Sequence, residues 1–182
     1  MGDNGQLYVP KELVPIYRES VIRLASIITP NLFETEQLSG ITIKETDDVW
    51  KAIDVLHCKG CETVIISSAD IPEKPDLLSI FASRKKGVSH EKYIMEIKKL
   101  PVAFTGSGDL FASLILSWMH KTENDLKLSL ENTVASLQSV LVRTIEAMQG
   151  KENTVRNREL KLLQSKKDIE EPKVIYKAKV VE

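Results

Sequence analysis

Thr63-Val64-Ile65-Ile66-Ser67 is the stretch on which the fold class turns. Four β-branched residues run together, and three of them are apolar. A strand apolar on both faces needs cover above and below, as strands of parallel sheets in α/β proteins have. Upstream, residues 46–58 read as a helix, with Thr46-Asp47-Asp48 capping its start and Val49, Ile53 and Leu56 sharing a face. Residues 32–39 read as a shorter helix closed by Gly40. Residues 25–29 read as a short apolar strand, ended at Thr29-Pro30-Asn31 because proline cannot continue a ladder. Residues 10–24 read as mostly helix with Leu13, Tyr17, Val21 and Leu24 on one face, regular only from about Pro15. Gly2, Asp3, Asn4 and Gly5 are turn formers, so residues 1–6 read as a loop.

Downstream, residues 77–84 and 92–97 read as strands joined through Arg84-Lys85-Lys86-Gly87. The second alternates weakly, Tyr93, Met95 and Ile97 against Lys92, Ile94 and Glu96. After a turn at Thr105-Gly106-Ser107-Gly108 comes a helix over residues 109–120, apolar on nearly every face and so expected to be a central support. Residues 126–148 read as a long helix with a stripe of Leu130, Val134, Leu137, Leu141 and Ile145. A polar linker at 150–157, a short helix at 158–165 and a strand at 173–181 complete the chain. Strands and helices in this alternation predict an α/β layer fold.

The 182 residues suit one domain, 1–182, with the 42% hydrophobic and 28% charged content of an ordinary soluble protein. A net charge of -1 gives no reason to expect nucleic acid or an anionic membrane as partner. No apolar run is long enough to span a bilayer, and no basic, apolar leader opens the sequence. Cys58-Lys59-Gly60-Cys61 has the spacing of a redox pair or half a zinc site. Zinc needs a second ligand pair, and His57, His90 and His120 are scattered, so two reduced thiols in a turn after a helix are expected. The cytoplasm is the default compartment.

Phe104-Thr105-Gly106-Ser107-Gly108-Asp109-Leu110-Phe111 carries the most chemistry. Two glycines let the backbone approach a ligand closely. The helix that follows aims unpaired N–H groups and its positive end at the turn, which favours an anion such as a phosphoryl group. Asp109, in the first helical turn, is placed to take a proton from an attacking hydroxyl. The same residues also suit a plain turn followed by an acidic helix start. In Ile27-Ile28-Thr29-Pro30-Asn31-Leu32-Phe33-Glu34 a strand ends in polar side chains, where ligands of α/β sheets gather. Asn31 and Glu34 suit waters or a metal beside a phosphate, and equally a helix cap. Ser67-Ser68-Ala69-Asp70 ends another buried strand with hydroxyls that suit phosphate or ribose, or a turn.

Taken in order, Met1-Gly2-Asp3, Tyr8-Val9-Pro10, Ile27-Ile28-Thr29-Pro30-Asn31, Thr63-Val64-Ile65-Ile66-Ser67-Ser68, Gly106-Ser107-Gly108-Asp109-Leu110-Phe111 and Gln164-Ser165-Lys166-Lys167-Asp168-Ile169-Glu170 resemble the pyridoxal kinase family of the ribokinase-like superfamily. The resemblance covers essentially the whole chain. Gly-x-Gly-Asp belongs to the superfamily, Ile-Thr-Pro-Asn to its vitamin-kinase branch, and the Gln-Ser-Lys-Lys-Asp-Ile-Glu-Glu-Pro tail to the pyridoxal kinases. The resemblance implies part of a three-layer sandwich, a central, mostly parallel sheet flanked by helices. It implies ATP-dependent phosphorylation of the 5′-hydroxymethyl group of pyridoxal, pyridoxine or pyridoxamine, and a homodimer. Asp109 matches the catalytic base, which touches the substrate, and Gly106, Ser107 and Gly108 the anion hole. Asn31 and Glu34 match the network of ATP and magnesium-bound water, with Mg2+ or Zn2+ as the metal. Ser67, Ser68 and Ser107 match nucleotide contacts, and Leu100, Pro101 and Val102 the stretch along adenine and ribose. Asp3 and Thr29 match the holders of a monovalent cation, K+ or Na+.

Ser67 and Ser107 stand where the family often has threonine, and both keep the hydroxyl. The loop from Asp3 to Tyr8 is shorter than in the mammalian proteins. The sequence opens inside the family's Asp-Pro-Val-Met-Gly-Asp segment, so the half that supplies most of the pyridoxal pocket is not in it. The expectation is a chain that alone does not turn over pyridoxal, with an open apolar sheet edge that favours association. The alternatives are a related kinase of hydroxymethylpyrimidine type, and an inactive nucleotide-binding or dimerisation module.

Overall fold

A computed structural model describes residues 1–3, 5–152, 154 and 156–181. They form two compact units, one of Met1–Lys99 with the C-terminal residues from Lys179, the other of Leu100–Ala178.

In the first unit, β1 (Gly2–Asp3) and β2 (Gln6–Leu7) pair antiparallel, Gly2 opposite Leu7. A small hairpin therefore replaces the loop expected at residues 1–6, of which Asn4 lies outside the described residues. The next segment is not one regular helix. It runs as α1 (Leu13–Ile16), a π-helical stretch Tyr17–Val21 and a 3-10 turn Ile22–Leu24. The wider π winding rotates later residues off a 3.6-residue stripe. Val14 and Ile22 are buried in consequence, while Tyr17, Val21 and Leu24, expected on the inner face, are exposed. Pro15 is tolerated in α1 because first-turn N–H groups have no intrahelical acceptor to lose.

The expected strand at 25–29 shrinks to β3 (Ile27–Ile28), an edge strand. It lies parallel to β4 (Thr63–Ala69), Ile27 opposite Thr63. The remaining order is β4, β5 (Leu77–Lys86), β6 (Ser89–Lys98) and β7 (Lys179–Val180), each antiparallel to its neighbour. Among the described residues the parallel sense expected of most of the sheet is thus confined to one pairing. The reason is local: Gly87, at φ 64°, reverses the chain at once, and β5 and β6 pair without a slip from Leu77↔Lys98 to Lys86↔Ser89. A parallel neighbour needs a crossover of a dozen or more residues, which this tight turn excludes. The α/β class holds, and β4 is buried on both faces as its composition requires, Val64, Ile65 and Ile66 all being inaccessible.

Helix α2 (Leu32–Ser39) ends at Gly40, whose left-handed φ of 79° lets its N–H reach the Glu36 carbonyl at 2.8 Å. Helix α3 (Thr46–Cys58) has the expected bounds but a different start. Its N-cap is Glu45, which makes no side-chain cap, and Asp48 instead accepts from the Lys44 N–H at 3.2 Å. Val49, Ile53 and Leu56 close over Val64, Ile66 and Phe81, and Trp50 meets Phe81 edge-on with ring centroids 5.2 Å apart.

Both cysteines are free thiols, Cys58 exposed and Cys61 buried. Burial pushes the Cys61 thiol up, and its Sγ donates to the Thr63 carbonyl at 3.2 Å, so it behaves as a small core residue. His57 bridges the same region. The Cys61 carbonyl, 2.9 Å from Nδ1, can only accept, so Nδ1 carries the proton and Nε2 accepts from the Ser83 hydroxyl at 2.8 Å. Burial holds the His57 pKa below its ordinary value, His90 and Lys85 act in the same direction, and the Cys61 bond and Asp54 oppose it. In the unfolded chain the group recovers a pKa of about 6.5. The unfolded state therefore binds the proton first, and the stability held by neutral His57 is present above about 6.5 and lost as the pH falls below it. The urea midpoint is expected to drop between about pH 7.5 and 5.5, and to drop less in His57→Gln. Equal drops in both proteins would show that His57 is not the group responsible.

In the second unit, α4 (Ser107–Lys121) packs on α5 (Leu126–Met148), joined by a turn with Glu123 and Asn124 at positive φ. Phe111, Leu114, Ile115 and Trp118 of α4 are buried, as are Leu130, Val134 and Leu141 of α5, whereas Leu137 and Ile145 are half-buried. Helix α4 is not apolar all round as expected: Asp109, Ser113, Leu116, Ser117 and His120 form an exposed stripe. The expected helix at 158–165 gives way to 3-10 turns at Arg156–Arg158 and Leu163–Ser165, followed by α6 (Lys166–Glu170). Side chains of α5 take over the tail's backbone groups. Thr144 accepts from Lys161 N–H at 3.1 Å, and Arg143 binds the Gln164 carbonyl and, at 2.7 Å, Asp168. Buried Glu131 accepts from the Ala178 N–H at 3.1 Å and from Lys177 at 2.8 Å, which withdraws that stretch from the strand expected over 173–181. Of the expected linker at 150–157, Asn153 and Val155 lie outside the described residues. No described helix is long and apolar enough to cross a membrane.

Candidate functional site

The start of α4 differs from the starts of α2 and α5. Asn31 and Asp125 cap those two helices, their side chains accepting the N–H groups of Glu34 and Leu128, each at 2.8 Å. The N-cap of α4 is Gly106, which has no side chain to offer and sits at φ 84°, where L-residues are strained. The Leu110 N–H reaches back to the Gly106 carbonyl at 3.0 Å. The N–H groups of Ser107, Gly108 and Asp109 precede the first intrahelical bond and have no acceptor in the helix. A methyl group built on Gly106 or Gly108 would meet nothing within 4 Å. Packing inside the chain therefore does not require either glycine to be small. Ser107 is half-buried, and the Asp109 carboxylate is exposed in the first turn. Leu100, Pro101 and Val102 lie in the irregular segment that opens this unit, Pro101 exposed and the other two half-buried.

In the first unit the polar residues after β3 are bonded to each other and to β1. Asn31 and Glu34 form a reciprocal cap, the Asn31 N–H donating to Glu34 Oε2 at 3.0 Å. Glu34 Oε1 pairs with the N-terminal ammonium of Met1 at 2.7 Å and accepts from the Gly2 N–H at 3.3 Å. Asn31 Nδ2 donates to the Gly2 carbonyl at 2.8 Å. The Ser67 N–H donates to the Pro30 carbonyl at 3.0 Å, so the end of β4 is tied to the turn after β3. Ser67 and Ser68 lie at an irregularity of β4 between Ile66 and Ala69, both half-buried. Thr29 is half-buried, and Asp3 is exposed opposite Gln6 in the hairpin.

Asn31 and Glu34 are thus bonded to each other, and Ser67 to the Pro30 carbonyl beside them, while Gly106–Asp109 and Leu100–Val102 belong to the other unit. Sequence reasoning missed Gly2. A Cβ there would lie 2.6 Å from both the Gln6 carbonyl oxygen and Phe33 Cε1. Nothing in the order of residues announces that contact, because Phe33 is far along the chain.

The uncapped N-terminus of α4 fits a phosphoryl group. Asp3 and Thr29 offer only oxygen, which suits a hard cation. Among the described residues no three His, Cys, Asp or Glu side chains cluster as a metal site.

The family model for phosphomethylpyrimidine kinase matches residues 1–155. Human pyridoxal kinase is 40% identical over 189 residues, a match covering 97% of this chain and 61% of the human one. Arabidopsis thaliana pyridoxal kinase is 41% identical over 182 residues, covering 98% and 58%. Leishmania donovani pyridoxal kinase, solved with ADP and pyridoxamine, matches with a TM-score of 0.91 at 27% identity over 100% of this chain and 60% of that one. The Plasmodium falciparum protein solved with AMP-PNP and PL gives 0.87 at 32% identity over 100% and 58%. The chain spans about three-fifths of the length of these relatives. Because the glycine-flanked helix start, the capped turn after β3 and the strands β3 to β6 all fall within the match to residues 1–155, the chain belongs to the phosphomethylpyrimidine kinase family.

Proposed function

We propose that residues 1–182 form the ATP-binding and catalytic portion of a pyridoxal kinase, which transfers the γ-phosphoryl group of ATP to the 5′-hydroxymethyl group of pyridoxal, pyridoxine or pyridoxamine. The observation that carries this reading is the start of α4, where three N–H groups without an acceptor in the helix stand beside an exposed Asp109. Asp109 accepts the proton of the acceptor hydroxyl as its oxygen attacks the γ-phosphorus. The bond from that phosphorus to the bridging oxygen breaks, and ADP leaves. The N–H groups of Ser107, Gly108 and Asp109 hold the charge on the transferring oxygens, which is most of what phosphoryl transfer asks of a protein. Ser67, Ser68 and the Leu100-Pro101-Val102 stretch contribute nucleotide contacts, and Asn31 and Glu34 support the phosphate side. Asp3 and Thr29 would hold K+ or Na+, and Mg2+ or Zn2+ bound with ATP would neutralise phosphate charge. The working form is a homodimer in the cytoplasm, a setting in which the two free thiols stay reduced.

The test is ATP-dependent formation of pyridoxal 5′-phosphate by the protein, with hydroxymethylpyrimidine as a competing acceptor. The family description favours that second acceptor class. Preference for the pyrimidine would replace the B6 reading, and failure to bind ADP at all would remove both.

Gly108→Ala separates ligand binding from folding. With nothing within 4 Å of the added methyl, the substitution is expected to stabilise the chain by up to about 1 kcal/mol. The same methyl would crowd an anion drawn to this helix start, and should lower phosphoryl transfer about tenfold or more. Urea denaturation and turnover, measured side by side, check the pair of effects; unchanged turnover would mean that no anion sits there.

A further inference from the structure

We infer that residues 173–177 are a docking strand: they take an extended peptide of a partner protein by strand addition, an acidic residue of that peptide meeting Lys173 and an apolar one meeting Ile175.

The tail is fixed to α5 on both sides of this stretch and left free within it. Before it, Arg143 pairs with Asp168 at 2.7 Å, and the Ser136 hydroxyl donates to the Ile169 carbonyl at 3.3 Å. After it, buried Glu131 holds the Ala178 N–H at 3.1 Å and Lys177 at 2.8 Å. Between these anchors no described residue bonds the backbone N–H or C=O of Lys173, Val174, Ile175 or Tyr176. Such groups must find partners in water or in another chain, and a row of them is a template for a strand.

The stretch already has a strand's period. Lys173, Ile175 and Lys177 are exposed, and Val174 and Tyr176 between them are half-buried. Valine, isoleucine and tyrosine favour strands, so this is β-forming sequence without a β partner. A lone ribbon of two strands has little stability in water, but one packed on a helix gains it. Helix α5 supplies that floor. A cavity of about 320 Å3 is lined by Ala135 and Val142 of α5 and by Lys173, Ile175 and Tyr176 of the tail. An apolar side chain opposite Ile175 has this cavity to enter.

The charges choose the partner. Lys177 is already paired with Glu131, whereas Lys173 has no ion-pair partner among the described residues. Opposite charges facing each other across two strands are favourable, and like charges are not. A second copy of this stretch does not meet that demand, because antiparallel pairing about Ile175 would set Lys173 of each copy against Lys177 of the other. Glu146 stands on the same rim, also without a partner among the described residues, so one acidic residue suits the site better than a run of them. The occupant is therefore a segment of another protein with an apolar residue and, two places on, an acidic one.

The experiment titrates the 15N-labelled chain with the end-blocked peptide Thr-Thr-Val-Thr-Glu. Saturable shifts and slowed amide exchange are expected at Val174, Ile175 and Tyr176. The peptide Thr-Thr-Val-Thr-Lys should bind with an affinity about fivefold lower, and Lys173→Glu should reverse the preference. Ile175→Pro removes a backbone donor at a side chain that is 73% exposed and has little packing to lose. It should lower affinity about fivefold and hold the melting temperature. If the proline variant does not fold, the charge reversal still decides. Absence of saturable shifts with either peptide would overturn the inference, as would equal binding of both peptides or unchanged binding in a folded Ile175→Pro. Shifts at these residues that grow with protein concentration, without peptide, would place a second copy there and overturn it as well.

Discussion

Asp109→Asn is expected to lower phosphoryl transfer by about 10²-fold or more while leaving ADP affinity largely intact. The amide has the shape of the carboxylate, so the first turn of α4 keeps its geometry and its unpaired N–H groups. It cannot accept the proton of the acceptor hydroxyl, and the attacking oxygen then carries that proton into the transition state. A factor of 10² corresponds to about 2.7 kcal/mol of barrier. The folded state loses much less, since an exposed acidic group at a helix start contributes about 0.3–1 kcal/mol. Single-turnover transfer measured beside ADP binding distinguishes the two. Near-normal turnover in the variant would remove Asp109 from the role of base. Ser107→Ala should be milder, because backbone N–H groups supply most of the anion binding.

The largest effect on stability is expected from Phe111→Ala, about 3–5 kcal/mol. Phe111 is 2% exposed on the buried side of α4, in the turn that follows Asp109. Removing the ring leaves a cavity that two helices of this length cannot collapse to fill, so the loss is the transfer of the ring plus the cavity. Domains are commonly stable by about 5–15 kcal/mol, which makes this a large fraction. The melting temperature should fall on the order of 10 °C. A loss below about 1 kcal/mol would mean that α4 is not anchored through this face. The consequence reaches function, because the same helix holds the N–H groups of Ser107 and Gly108 in place.

Much of the candidate site was legible because its signals are local. Gly106-Ser107-Gly108-Asp109 announced a turn and a helix start, and the helix begins at Ser107, two residues before the expected position. Asn31 and Glu34 announced a capping pair by their spacing, and that pair is formed. The role of Glu34 beyond the cap was not legible. Its other partners, Met1 and Gly2, lie 33 and 32 residues away, and no pattern within a helix turn refers to them.

The sequence by itself determined the helices at Leu32–Ser39, Thr46–Cys58 and Leu126–Met148, and the buried strand from Thr63 to Ser67, which the fold extends to Ala69. Caps, helix-ending glycines and apolar periodicity act over about four residues, so the residues that decide these elements are neighbours in the chain. Only the tertiary structure decided the rest. The direction of β5 and β6 followed from a turn at Gly87 and from pairing across it, and the π winding at Tyr17–Val21 set which of Val14 and Val21 went inside. The short β7 followed from Glu131, 47 residues from the Ala178 N–H it holds. Such choices rest on contacts made only when distant segments meet. A backbone N–H takes whichever acceptor the assembled fold brings to it, a strand or a side chain.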